Sequence, residues 1–184
     1  MAKVVVVVNT SPRKGANSET LAMKIAEGAK DNGNEIQVFN LRELEINGCK
    51  ACMGCKKTGN CVQKDGIKDV LEAIKEADGL VISAAVYFGQ PNAQYRILED
   101  RMFSLIDGEF KPFIEPGKKL AVVGTSGGDP VACGTIADGI LGRLGGFFKF
   151  EPVGKVAING CNPPNVAAGN EEALAQAYEI GKKF

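Results

Sequence analysis

Val4-Val5-Val6-Val7-Val8, running straight into Asn9-Thr10-Ser11-Pro12-Arg13, decides the fold. An unbroken run of β-branched residues with no polar alternation reads as a strand covered on both faces, as central strands of parallel sheets are. A loop over residues 9–17 follows. The spacing then predicts a helix over about residues 18–30, with Leu21, Ile25 and Ala29 on one face. Asn17 or Ser18 can cap its first amides. Gly33 closes the unit, and residues 35–41 return as a strand.

The same alternation continues outward. Asp65 opens a helix with Ile67, Val70, Leu71 and Ile74 on one face, and residues 79–84 form another buried strand. Residues 86–90 read as a loop, and Pro91 as the start of a helix to about residue 106. Residues 119–123 are a strand, 124–129 a Gly/Ser/Thr turn and 130–144 a Gly-rich helix. The last strand lies within residues 148–158, an irregular stretch fills 159–169, and a helix closes the chain at 171–183. Five strands alternating with five helices predict an α/β doubly wound parallel sheet in one domain over residues 1–184. Right-handed crossovers favour the strand order 2-1-3-4-5.

Composition narrows the function. Lys+Arg and Asp+Glu balance at 22 each, so there is no charge excess to hold a polyanion, and nucleic acid is not an expected partner. The chain has no His, which removes the commonest general base and metal ligand. The apolar N-terminus is too short for a secretory signal, and no apolar run approaches the roughly 20 residues of a membrane helix. A cytoplasmic protein with no membrane partner is expected. In a reducing compartment, clustered cysteines point to metal binding or redox chemistry rather than structural disulfides.

In a sheet of this kind ligands bind outside the carboxyl ends of the strands, at the switch point. The first loop there offers Ser11, Arg13, Asn17 and Ser18 beside a helix N-terminus, a set that suits a phosphate monoester and equally an ordinary capped turn. Neither the P-loop nor the dinucleotide glycine pattern occurs. The loop after the third strand is Ala85-Val86-Tyr87-Phe88-Gly89-Gln90. A flat heterocycle can pack on its aromatics while Gly89 lets backbone approach. The loop after the fourth strand carries Ser126, Gly127 and Gly128, which can bend around a ring edge and point N–H groups at it. Alone, each has a plain structural reading. Together, on one sheet edge, they specify far more.

The connection over residues 42–64 is long for a compact domain and holds four of the six cysteines in its part at 47–64. Cys49, Cys52, Cys55 and Cys61 stand as C-x2-C-x2-C-x5-C, like the short runs that hold iron–sulfur clusters. Zinc, or a redox loop without metal, remain alternatives on spacing alone. Lys50, Lys56, Lys57 and Lys64 supply positive charge, though each taken singly reads as solvated. Cys133 and Cys161 stand apart and read as packing residues.

Ser11-Pro12-Arg13 with Asn17-Ser18, the four-Cys loop, Val86-Tyr87-Phe88-Gly89 and Asp100-Arg101 together resemble the iron–sulfur flavoproteins, part of the wider NAD(P)H-dependent FMN reductase-like group with a flavodoxin-like fold. The resemblance runs from about residue 3 to 183. It implies one FMN and one 4Fe–4S cluster per chain, in homodimers or homotetramers. By position it implies Ser11, Arg13, Asn17 and Ser18 as phosphate ligands, and Val86, Tyr87, Phe88 and Gly89 as ring contacts. Ser126, Gly127 and Gly128 would form the third flavin loop, and the four loop cysteines would ligate the cluster. Ala85 departs from the Pro common at that place, and residues 159–169 match no assigned feature. Two functions follow. One is electron transfer between a low-potential carrier such as ferredoxin and a two-electron acceptor. The alternative is an NAD(P)H-dependent flavin or quinone reductase with no functional cluster.

Overall fold

A computed structural model describes residues 2–184. Strand β1 (Val4–Asn9) lies between β2 (Glu35–Asn40) and β3 (Gly79–Tyr87), both parallel to it. Beyond β3 come β5 (Lys119–Thr125) and β6 (Glu151–Ile158), again parallel. The sheet order β2-β1-β3-β5-β6 is the expected 2-1-3-4-5 arrangement once the two-residue strand β4 (Gln90–Pro91) is set aside.

Alternation along the strands builds two cores. Val6, Val8, Leu80, Ile82, Leu120 and Val122 point to one face. There they meet α2 (Ile67–Glu76), α3 (Ala93–Arg101) and α4 (Pro130–Phe148). Val5, Val7, Val81, Ala121, Val123 and Val156 point to the other face, under α1 (Asn17–Asp31) and α5 (Glu171–Gly181). Because both faces are covered, these strands need no polar alternation. Each large aliphatic side chain so buried contributes roughly 1.5–3 kcal/mol, and truncating Ile82 to Ala costs about 2–5 kcal/mol. Two glycines set how closely α1 and α5 approach. A Cβ on Gly28 would stand 2.2 Å from the Tyr178 carbonyl oxygen, and one on Gly181 2.2 Å from that of Ile25.

Two segments depart from the sequence reading. Residues 86–90 are not an open loop: Val86 and Tyr87 end β3 and pair antiparallel with Pro91 and Gln90. Phe88 and Gly89, with φ of 50° and 73°, form the tight turn between them. Positive φ at both central residues matches the right-handed twist of a two-residue hairpin. Consequently α3 begins at Ala93 rather than Pro91, and a 3₁₀ turn over Met102–Leu105 follows it. Helix α4 also runs further than expected, to Phe148, and is capped by Asp129, whose carboxylate accepts the Val131 N–H at 2.8 Å. At 19 residues it is long and apolar enough to cross a membrane. Its Cys133, Ala137, Ile140, Leu144 and Phe148 are buried, the last four in the core beneath α4.

Candidate functional site

The carboxyl ends of β1, β3 and β5 and the segment after β6 enclose a cleft of about 370 Å³, within the range of small-molecule sites. Ser11, Arg13, Asn17, Ser18, Val86, Tyr87, Phe88, Ser126, Gly127 and Gly128 all line it. Gly89 does not; its place is the hairpin turn. That turn leaves the Phe88 ring fully exposed and Tyr87 45% exposed at the mouth.

Asn92, which sequence reasoning passed over, locks these strand ends together. Its Nδ2 donates to the Thr10 carbonyl at 2.6 Å, and its Oδ1 accepts from the Ala85 N–H at 3.1 Å. The Thr10 hydroxyl lies 2.7 Å from the Ser83 carbonyl and 3.0 Å from Asn92 Oδ1. Beneath them, Ser83 donates to Asn9 at 3.1 Å and Asn9 to Asn40 at 3.0 Å. Buried polar networks satisfied in this way fix loop geometry.

The N-terminus of α1 is the most polar wall. Ala16 at its N-cap supplies no side-chain cap. The N–H groups of Asn17, Ser18 and Glu19 therefore have no acceptor among the described residues, whereas Thr20 N–H already bonds the Ala16 carbonyl at 3.0 Å. Free amides at the positive end of a helix suit an anion. The Asn17 side chain is engaged elsewhere. Its Nδ2 donates to the carbonyls of Cys161 at 3.1 Å and Pro163 at 2.7 Å, while its Oδ1 accepts from Ala167 N–H at 2.8 Å. Only its backbone remains for a ligand. The Ser11 hydroxyl accepts from Arg13 N–H at 3.1 Å, and the Arg13 guanidinium donates to the Asn162 carbonyl at 2.8 Å.

Residues 159–169 thus form the fourth wall, and Cys161 and Asn162 line the cleft. A Cβ on Gly127 would come within 2.3 Å of Asn162 Oδ1, so the third loop and this wall meet closely. The sequence signal was a structureless stretch too long for a simple connection, which is characteristic of a binding loop. Cys133 and Cys161 are buried, as expected. Burial, aided by the neighbouring Cys133 thiol, pushes Cys161 up to about 11, so it is a neutral thiol near pH 7.

A second feature lies in the connection before α2. All four of Cys49, Cys52, Cys55 and Cys61 line one recess, together with Arg101, Phe103 and Ser104. Cys49 and Cys52 are exposed, Cys55 buried and Cys61 half-buried. Burial raises the Cys55 thiol pKa, with the Lys56 ammonium pulling against it. Ala51 and Met53, at φ of 50° and 59°, carry the backbone through the left-handed region on either side of Cys52, a conformation that costs non-glycine residues about 1–2 kcal/mol each. Arg101 clamps the ends of the loop: its Nη1 donates to Asp65 Oδ2 at 2.7 Å and to the Asn47 carbonyl at 2.8 Å, and its Nη2 to Asp65 Oδ1 at 3.0 Å. Lys56 is not a solvated charge. Its Nζ donates to the carbonyls of Phe103 at 2.6 Å and Ile106 at 2.9 Å and sits 3.1 Å from the Phe103 ring centre.

Among the described residues, no three His, Cys, Asp or Glu side chains stand at metal-ligating spacing. The chemistry of the recess nevertheless fits a thiophilic group: four thiols line it, and two buried donors there, Arg101 Nε and Ser104 Oγ, have no partner.

A five-stranded parallel sheet with a free helix N-terminus, an aromatic hairpin and a glycine turn at its carboxyl edge defines the flavodoxin-like class of FMN redox proteins. The model of the NADPH-dependent FMN reductase family matches residues 3–132, and the chain belongs to that family, among its iron–sulfur flavoproteins. It is 34% identical to an iron–sulfur flavoprotein of Methanosarcina thermophila over 121 residues, which is 66% of this chain and 63% of that one. It is 30% identical to one of Archaeoglobus fulgidus over 154 residues, 79% of this chain and 77% of that one. The match spans only about half the length of two further relatives, 50% and 46%. The fold superposes on oxidised flavodoxin 1 of Bacillus cereus with a TM-score of 0.64 at 17% identity, covering 97% of this chain and 94% of that one.

Proposed function

We propose that the chain is an electron-transfer flavoprotein. In this reading it holds FMN in the cleft and a 4Fe–4S cluster in the cysteine recess. It passes electrons between a low-potential one-electron carrier such as ferredoxin and a two-electron acceptor. The observation that carries the reading is the set of unpaired first-turn amides of α1 at the wall of a cleft flanked by Tyr87 and the Gly127–Gly128 turn. When bound, FMN supplies one- or two-electron chemistry and a cluster supplies one-electron exchange, so the protein's own share is binding and placement. The backbone of Asn17 and Ser18, with Ser11 and Arg13, holds the phosphate. Val86, Tyr87 and Phe88 flank the ring, and Gly89 shapes the turn that presents them. Ser126, Gly127 and Gly128 meet the ring edge, and Cys49, Cys52, Cys55 and Cys61 are the cluster ligands. The cleft lining contains no carboxylate, consistent with a site that needs no general acid or base. A homodimer or homotetramer in the cytoplasm belongs to the same reading.

The test is iron and acid-labile sulfide in protein purified without air. About four of each per chain supports the cluster. Bound FMN with neither leaves the second reading, an NAD(P)H-dependent flavin or quinone reductase. That reading is favoured by the family match over residues 3–132. It requires rapid anaerobic bleaching of the flavin by NADH or NADPH, which pure electron transfer from ferredoxin does not.

A further inference from the structure

Arg101 Nε and Ser104 Oγ are the buried side-chain nitrogen and oxygen atoms without a hydrogen-bond partner among the described residues. Both residues line the recess of the four cysteines. Arg101 is 1% exposed and Ser104 3%, so water does not readily satisfy them. A fold in which nearly every other buried polar side chain is paired does not leave two donors unmade in the lining of one recess without a use for them. Three of the four Nη hydrogens of Arg101 are committed to Asp65 and the Asn47 carbonyl, which holds the plane of the guanidinium and with it the direction of its Nε–H. The Cys61 thiol lies beside the guanidinium.

We propose that Arg101 Nε–H and Ser104 Oγ–H donate hydrogen bonds to sulfur atoms of the cluster unit, either its cysteine thiolates or its sulfides. They thereby tune its reduction potential. This rests on the reading that the four cysteines hold a 4Fe–4S cluster. Reduction adds negative charge to the sulfurs, and donors to sulfur stabilise the reduced form more than the oxidised one. Two fixed donors therefore raise the potential above that of the same cluster without them. Arg101 and Ser104 are positioning and tuning residues, not ligands. The low-dielectric surroundings strengthen each bond.

The decisive variant is Ser104→Ala, which removes one hydroxyl and leaves the Asp65–Arg101 clamp in place. Protein purified without air is assayed for iron, sulfide and FMN. The cluster and flavin midpoint potentials are then measured separately, by spin resonance and absorbance during one redox titration. The expected result is wild-type iron, sulfide and flavin potential, with the cluster potential shifted negative and restored in Ser104→Thr. On wild-type protein alone, the reduced cluster should show proton hyperfine couplings that vanish after exchange into D2O; their absence overturns the proposal whether or not a variant folds. An iron-replete Ser104→Ala protein with an unchanged cluster potential also overturns it, and leaves the cluster reading standing. Wild-type protein without iron removes that reading, and this inference with it.

Discussion

The side-chain carbonyl of Asn17 accepts the amide N–H of Ala167 at 2.8 Å, joining residues 150 apart in the chain. The same side chain donates to the carbonyls of Cys161 and Pro163. Since Asn17 is also the first residue of α1, one residue both opens the uncapped helix end and anchors the far wall of the cleft. Asn17→Ala should therefore weaken FMN binding about 10–100-fold, through loss of three hydrogen bonds worth roughly 1 kcal/mol each. Flavin fluorescence titration reads this directly. An unchanged Kd would show that the 161–167 segment takes no part in binding.

Gly127 and Asn162 should be coupled in the same assay. A methyl group at 127 would stand 2.3 Å from Asn162 Oδ1, so Gly127→Ala has to push the Asn162 side chain out of its place at the cleft wall. The expected loss is about tenfold or more in FMN affinity. Asn162→Gly in the same chain should recover much of it, a coupling of about 0.5–3 kcal/mol between contacting sites. Additive effects of the two substitutions would place the damage elsewhere.

The five parallel strands and their order were legible because burial on both faces writes itself as unbroken runs such as residues 4–8 and 79–84. That three loops meet at one cleft was legible because Ser11, Tyr87 and Gly127 stand at or within two residues of strand ends. What was not legible depends on contacts distant in sequence. Asn92 looks like any polar residue near a Pro, and only the fold brings Thr10 and Ala85 to it. Residues 159–169 have no period, so their place beside α1 could not be read. Lys56 looked solvated because nothing local shows that the carbonyls of Phe103 and Ile106 arrive over it.

Acid should attack the cysteine loop through Asp65. The hydrogen bond from Arg101 holds the Asp65 carboxyl below the usual carboxylate range, against the opposing effect of burial. A depressed carboxyl contributes stability that is fully present above its unfolded value of about 3.9 and is lost as pH falls through the lower folded value. Stability should thus fall as pH drops below about 4, and Asp65→Asn should flatten that part of the profile. At neutral pH the same substitution leaves a buried guanidinium unpaired, at a cost of about 3–5 kcal/mol. Urea unfolding at a series of pH values measures both. A wild-type acid limb retained in Asp65→Asn would assign the acid sensitivity to another group.

Lys56 ties the cysteine loop to the 3₁₀ turn that follows α3, and its charge faces two carbonyls and an aromatic ring. Charge-assisted bonds of this type are worth about 1.5–3 kcal/mol each, so Lys56→Ala should free the segment around Cys55 without touching the residues that line the cleft. The opened loop admits oxygen and water to the recess. The expected outcome is an unchanged FMN Kd with several-fold faster loss of iron in air, followed by the bleaching of cluster absorbance. Lys56→Arg, which keeps the charge and donors on a bulkier head, should fall between the two. Equal rates of iron loss in wild type and Lys56→Ala would mean that the loop is held by the Arg101 clamp alone, and that the Lys56 contacts with Phe103 and Ile106 contribute packing but no protection.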